Sequence, residues 1–117
     1  MSKFVEAVDT YKSEMDKLGI KYDATLLTAV TKGLGPSIYR ADASKVSCSD
    51  NDELSRVKTN FLIKKLGLKD DAKLDAAIKE VCEQLGSANR NKYRAMFYYL
   101  LVKKFGKEHV QVVDKQF

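Results

Sequence analysis

The chain has 117 residues, of which 44% are hydrophobic and 32% charged, with one proline, no tryptophan and a net charge of +5. That length fits one domain with enough core to fold unstapled, and the composition excludes collagen-like, mucin-like and disordered classes. No apolar run approaches the ~18 residues of a membrane helix. The opening MSKFVEAVDTYKSEMDKLG mixes charged with apolar residues and lacks the apolar centre of a secretory leader. The expectation is a soluble cytoplasmic protein, with no membrane partner.

In chain order, the first predicted helix runs from Ser2, its N-cap, to Leu18. Phe4, Val8, Tyr11, Met15 and Leu18 form one apolar stripe, and Gly19 closes it. Asp23 caps a second helix that turns Leu26, Leu27 and Val30 inward and ends at Gly33. Pro36 suits the first turn of a short third helix over Ser37–Ala43, with Ile38 and Tyr39 as its apolar members. Residues 44–49 read as irregular. Asp50 and Glu53 then have the spacing of a capping box. The helix they start carries Leu54, Val57, Phe61, Leu62 and Leu66 and closes at Gly67. Asp70 or Asp71 caps the next, which shows Leu74, Ile78, Val81, Cys82 and Leu85 before Gly86. Ser87 is the expected cap of the last long helix, with Tyr93, Met96, Phe97, Leu100, Leu101 and Phe105 apolar, and Tyr93, Phe97, Tyr98, Tyr99 and Phe105 make it aromatic nearly all round. A helix apolar on most sides belongs at the centre of a bundle. The tail 107–117 is expected to be loosely ordered. Leu62, Leu66, Ile78, Phe97 and Leu101 should be nearly inaccessible. The fold class is therefore all-α, a five- to six-helix single domain spanning 1–117.

An internal echo runs through these elements. Residues 17–32 (KLGIKYDATLLTAVTK) align without gaps on residues 65–80 (KLGLKDDAKLDAAIKE), with eight of sixteen positions identical. Tyr39-Arg40-Ala41 later faces Tyr93-Arg94-Ala95. Two readings stand: reused helix punctuation, or a duplicated helical hairpin about a pseudo-twofold axis.

Side chains that could carry chemistry are few. Cys48 and Cys82 are expected to be reduced, Cys48 inert between two serines and Cys82 packed in the core. No CxxC or Cys/His cluster suggests zinc. The sole histidine, His109, sits in the tail, far from any ready partner for nucleophilic catalysis. Gly33-Leu34-Gly35-Pro36-Ser37 lacks the lysine and the preceding strand of a phosphate loop. Asp42, Asp50, Asp52 and Glu53 do not match a calcium-loop spacing. The reading is non-enzymatic, with no cofactor, no metal site and no catalytic residues.

Charge is unevenly placed. Residues 1–53 hold 7 Lys/Arg against 9 Asp/Glu, and residues 54–117 hold 14 against 7. The basic half could attract an anionic partner. Its most distinctive stretch is Asn89-Arg90-Asn91-Lys92-Tyr93-Arg94. On a helix Arg90 and Arg94 would share a face one turn apart, as a phosphate-binding or groove-reading helix requires. The alternative is a face paired within the molecule, for instance with Glu80 or Glu83. Arg90, Lys92, Arg94 and Tyr98 are the candidate interaction surface.

The stretches GPSIYRADASKVSCSDNDEL, VKTNFLIKKLGLKDDAKLD and SANRNKYRAMFYYLLVKKFGKE together resemble a small bacterial family, domain of unknown function 2853. The resemblance implies a small helical bacterial domain and transfers no residue roles. The expected function is a helical interaction module making helix-face contacts with a protein partner or a second copy of itself. The alternative is a weak nucleic-acid-associated protein using the basic half.

Overall fold

A computed structural model describes residues 3–40, 44–86, 89 and 91–106, Ser37 through its backbone alone. The expectations placed on Ser2, Ser87, Arg90, His109 and the tail 107–117 lie outside these residues. Five α-helices follow in order: α1 (Lys3–Lys17), α2 (Ala24–Leu34), α3 (Asn51–Arg56), α4 (Ala72–Leu85) and α5 (Arg94–Lys104). A 3₁₀ turn over Gly35–Tyr39 follows α2, and a π-helical stretch over Val57–Ile63 continues α3. Among the described residues the one β feature is an isolated antiparallel bridge between Lys45 and Tyr93.

Helix α5 is the hub. It packs against α1, α2 and α4, and its residues Ala95 through Val102 are all buried. The five predicted core residues Leu62, Leu66, Ile78, Phe97 and Leu101 are each 3% exposed or less. The polar end of Tyr99 is put to use within this core. Its hydroxyl accepts a hydrogen bond from the Asp23 backbone N–H at 2.7 Å, while the Asp23 carboxylate accepts from the N–H groups of Thr25 and Leu26. One residue thus caps α2 and ties its start to α5.

The π-helical stretch solves a spacing problem. Val57, Phe61, Leu62 and Leu66 are all buried. At 3.6 residues per turn Leu66 would point about 180° away from Val57. Wider winding, with the Lys64 N–H reaching Thr59 O and the Leu66 N–H reaching Phe61 O, brings all four onto one face.

The internal echo survives as matched punctuation. Gly19 and Gly67 sit at φ 70° and 71°, a region that disfavours a side chain. Asp23 and Asp71 both cap through the N–H two residues on, and α2 and α4 begin at Ala24 and Ala72. The closing bonds differ. The Ile20 N–H returns five residues to Met15 O, whereas the Leu68 N–H returns six to Leu62 O, because the second turn leaves a π-wound helix. Tyr39 and Tyr93 part company altogether: one ends a 3₁₀ turn, the other precedes α5.

Several expectations need correcting. Helix α2 runs through Gly33, which is buried inside it, and ends at Gly35. The expected third helix is a 3₁₀ turn through Tyr39, with residues 41–43 outside the described set. The last helix does not start near Ser87; it starts at Arg94 with Tyr93 in the cap position. Asn89 is the physical reason. Its side chain donates to Leu85 O and accepts from the Asn91 N–H, a local pattern that competes with helix formation. The Val46 N–H and Lys92 O then pair, as do the Arg94 N–H and Ser44 O, each at 2.8 Å. These bonds hold residues 92–94 against residues 44–46 until α5 begins. Finally, the cysteines are not reduced thiols. Cys48 and Cys82 form a disulfide with Cα atoms 6.0 Å apart. The pairs to residues 92 and 94 fix the segment before Cys48, and the Ser47–Asp50 turn that contains it sets Cys48 against α4.

Candidate interaction surface

The described members of the expected surface turn inward. Arg94, on the first turn of α5, donates through Nη2 to Glu53 Oε1 at 2.5 Å and through Nη1 to the Tyr98 hydroxyl at 3.1 Å. Its guanidinium also lies 5.7 Å from the Tyr98 ring centre. Tyr98, one turn further on, is buried and stacks on Phe61 with centroids 4.0 Å apart. Glu53 holds a second arginine, accepting from Arg56 Nη2 at 2.9 Å. Asp50 meets the capping expectation by accepting from the Asp52 and Glu53 N–H groups, and the Glu53 carboxylate is directed to the arginines.

This arrangement sets the charge states. Burial pushes the Glu53 carboxyl up, but hydrogen bonds from Arg56 and Arg94 outweigh it and hold the group below its ordinary value. Burial acts against the charged Arg94, yet Tyr98 and Glu53 raise its pKa overall. The Tyr98 hydroxyl is pushed up by burial, against the opposing pull of Arg94. The intramolecular pairing weighed in the sequence is therefore the observed one, with Glu53 as partner in place of Glu80 or Glu83.

Lys92 is only 8% exposed, and its ammonium donates to Asn89 O at 2.6 Å. Lys45 donates to Asn91 Oδ1 and lies 5.4 Å from the centre of the Tyr93 ring. Tyr93 in turn packs on Tyr11, centroids 5.1 Å apart. Burial, with Tyr93 and then Tyr39 adding to it, pushes the Tyr11 hydroxyl up to about 12.

Other basic groups of the second half also meet acids. Lys58 bridges Asp70 at 2.9 Å and Asp75 at 3.1 Å, and Lys104 pairs with Glu80. Among the described residues no three His, Cys, Asp or Glu side chains converge as metal ligands.

Two features escaped the sequence reading. Tyr39 is 50% exposed, although the pattern placed it inward. Adjacent residues on the turn point about 120° apart, so Ile38 and Tyr39 do not share a face. Ile38 takes the buried side. The second feature is a cleft of about 400 Å³ beside the disulfide, lined by Cys48, Cys82, Asn51, Ser55, Asp75 and Lys79 among others. Nothing in the spacing of Cys48 and Cys82 announced it.

The chain belongs to a family of proteins of unknown function, domain of unknown function 2853, whose model matches residues 10–109. No curated protein matches the chain.

Proposed function

We propose that the protein is a non-enzymatic interaction module of the cytoplasm that binds a protein partner through outward helix and turn surfaces. Tyr39 is the observation that carries this reading. It stands half exposed at the end of the 3₁₀ turn, with Pro36 and Arg40 exposed beside it. Tyrosine and arginine are the side chains on which protein interfaces most often depend, and a tyrosine ring offers contact area at low entropic cost. Ile38, buried beside it, anchors this turn, which packs against α2. The distribution of polar groups agrees with a binding role: Asp23, Asp50 and Asp71 cap helices, and Glu53, Arg94 and Tyr98 satisfy one another.

Nucleic-acid association ranks second. The basic excess of residues 54–117 favours it, but Arg94, Lys58 and Lys104 are answered by carboxylates, which leaves exposed lysines such as Lys64, Lys69 and Lys73. A reader of nucleic acid needs several cations on one face and an affinity that falls steeply with salt. Fluorescence anisotropy with duplex and single-stranded oligonucleotides across a salt series separates the readings. Weak binding confined to low salt is expected. Tight binding at physiological salt, lost in a Lys64→Glu, Lys69→Glu double variant, would reverse the ranking.

A further inference from the structure

We propose that the Cys48–Cys82 bridge is a reversible thiol–disulfide exchange site, opened by a dithiol reductant within the adjoining cleft. The bridge does not hold the core together. The core is assembled from α1, α2, α4, α5 and the π-helical stretch, with Leu54 of α3 packed against it, and both cysteines only flank it, half-buried. A chain of this size with such a core folds without a staple. The bridge instead clasps a turn to a helix. Upstream of Cys48, Ser44 and Val46 are held by backbone bonds to Arg94 and Lys92. Downstream, Asp50 is held as the cap of α3. Between these anchors the Ser47–Asp50 turn has one backbone bond of its own, Asp50 N–H to Ser47 O at 3.2 Å, and the disulfide fastens it to α4.

The sulfurs are also reachable. The cleft beside them has a mixed lining, with Asn51, Ser55, Asp75 and Lys79 on its walls beside Leu54 and Ile78. The Asp75 carboxylate is engaged by Lys58, which lessens its repulsion of an incoming thiolate. Lys79 lies one turn before Cys82 on α4 and lines the same cleft, where an ammonium favours a departing thiolate. A reductant thiolate attacks Cys48 Sγ, forming a mixed disulfide and expelling Cys82 as a thiolate beside Lys79. The reductant's second thiolate then attacks its own sulfur in that mixed disulfide and releases Cys48. The protein gains two electrons and, on protonation, two thiols; the reductant leaves as its disulfide. The Ser47–Asp50 turn is then free of α4, which widens the cleft.

Dithiothreitol on the native protein tests this, read by alkylation mass spectrometry, far-ultraviolet circular dichroism and hydrogen exchange. The expected result is two alkylation labels per chain and unchanged helix content. Exchange should quicken about tenfold or more across residues 47–50 while α5 stays protected, and reoxidation should reverse it. A Cys48→Ser, Cys82→Ser double variant should fold and show the exchange pattern of the reduced protein. A bridge that resists dithiothreitol until the protein is denatured would overturn the proposal. So would global unfolding on reduction, which would make the bridge a structural staple.

Discussion

Replacing Arg94 by methionine keeps the aliphatic stem and removes the guanidinium, and it probes the observation that most changes how the basic half is understood. The Arg94 and Glu53 side chains are only 15% and 14% exposed. An exposed ion pair contributes about 0–1 kcal/mol, and orphaning one member of a fully buried pair costs about 3–5 kcal/mol. This pair falls between, because Glu53 keeps Arg56, whose side chain is 60% exposed, as a remaining partner. A loss of about 2 kcal/mol for the pair and about 1 kcal/mol for the Tyr98 hydroxyl left without its donor gives about 2–4 kcal/mol for Arg94→Met. Glu53→Gln should cost less, about 1–2 kcal/mol, since the amide oxygen still accepts. The double variant should show a coupling of about 1–2 kcal/mol. Urea unfolding measures all three, read as shifts in midpoint at constant slope. A cost under about 0.5 kcal/mol for Arg94→Met, or additive single variants, would mean that Arg94 is a surface cation after all.

Leu101→Ala, at a fully buried position of α5, should cost about 2–5 kcal/mol in the same assay. Acid unfolding should depend on Glu53. Its folded pKa lies below its unfolded value near 4.5, so its stabilisation is complete above that value and is lost as pH falls through the lowered one. The Glu53→Gln variant should accordingly lose less stability than the parent as pH falls below about 4.5. Gly19→Ala and Gly67→Ala meet no atom that a new methyl would strike. Each should therefore cost only the backbone penalty of about 1–2 kcal/mol, and near-equal values would mark the two turns as equivalent.

The parts of this fold set by local chemistry were readable in the sequence. Asp23, Asp50 and Asp71 could be recognised as caps, since a short side chain competing for backbone N–H groups acts within three residues of itself. The apolar spacing on α1, α4 and α5 likewise identified the buried faces. What depended on distant partners was not readable. The last helix was expected to start near Ser87, but Lys92 and Arg94 are held by residues 46 and 44, nearly fifty positions upstream, and α5 starts only at Arg94. Arg94 finds Glu53 across 41 residues and Cys48 finds Cys82 across 34. Helical spacing carries no information over such separations. Tyr39 was misplaced for a local reason: it and Ile38 are adjacent on a helical turn and point apart, and only Ile38 takes the buried side.

The central claim is that this bundle acts by binding protein through its exposed turn and helix surfaces. Affinity capture from native lysate, with and without nuclease and with wild-type protein beside Tyr39→Ala, tests it most directly when read by quantitative mass spectrometry. Substituting an exposed residue leaves the core untouched, so the variant should fold normally. The account predicts a defined protein set that persists through nuclease treatment and is depleted several-fold by Tyr39→Ala, as expected for an interface anchor. Captured proteins that vanish with nuclease, or that bind wild type and Tyr39→Ala equally, would contradict it.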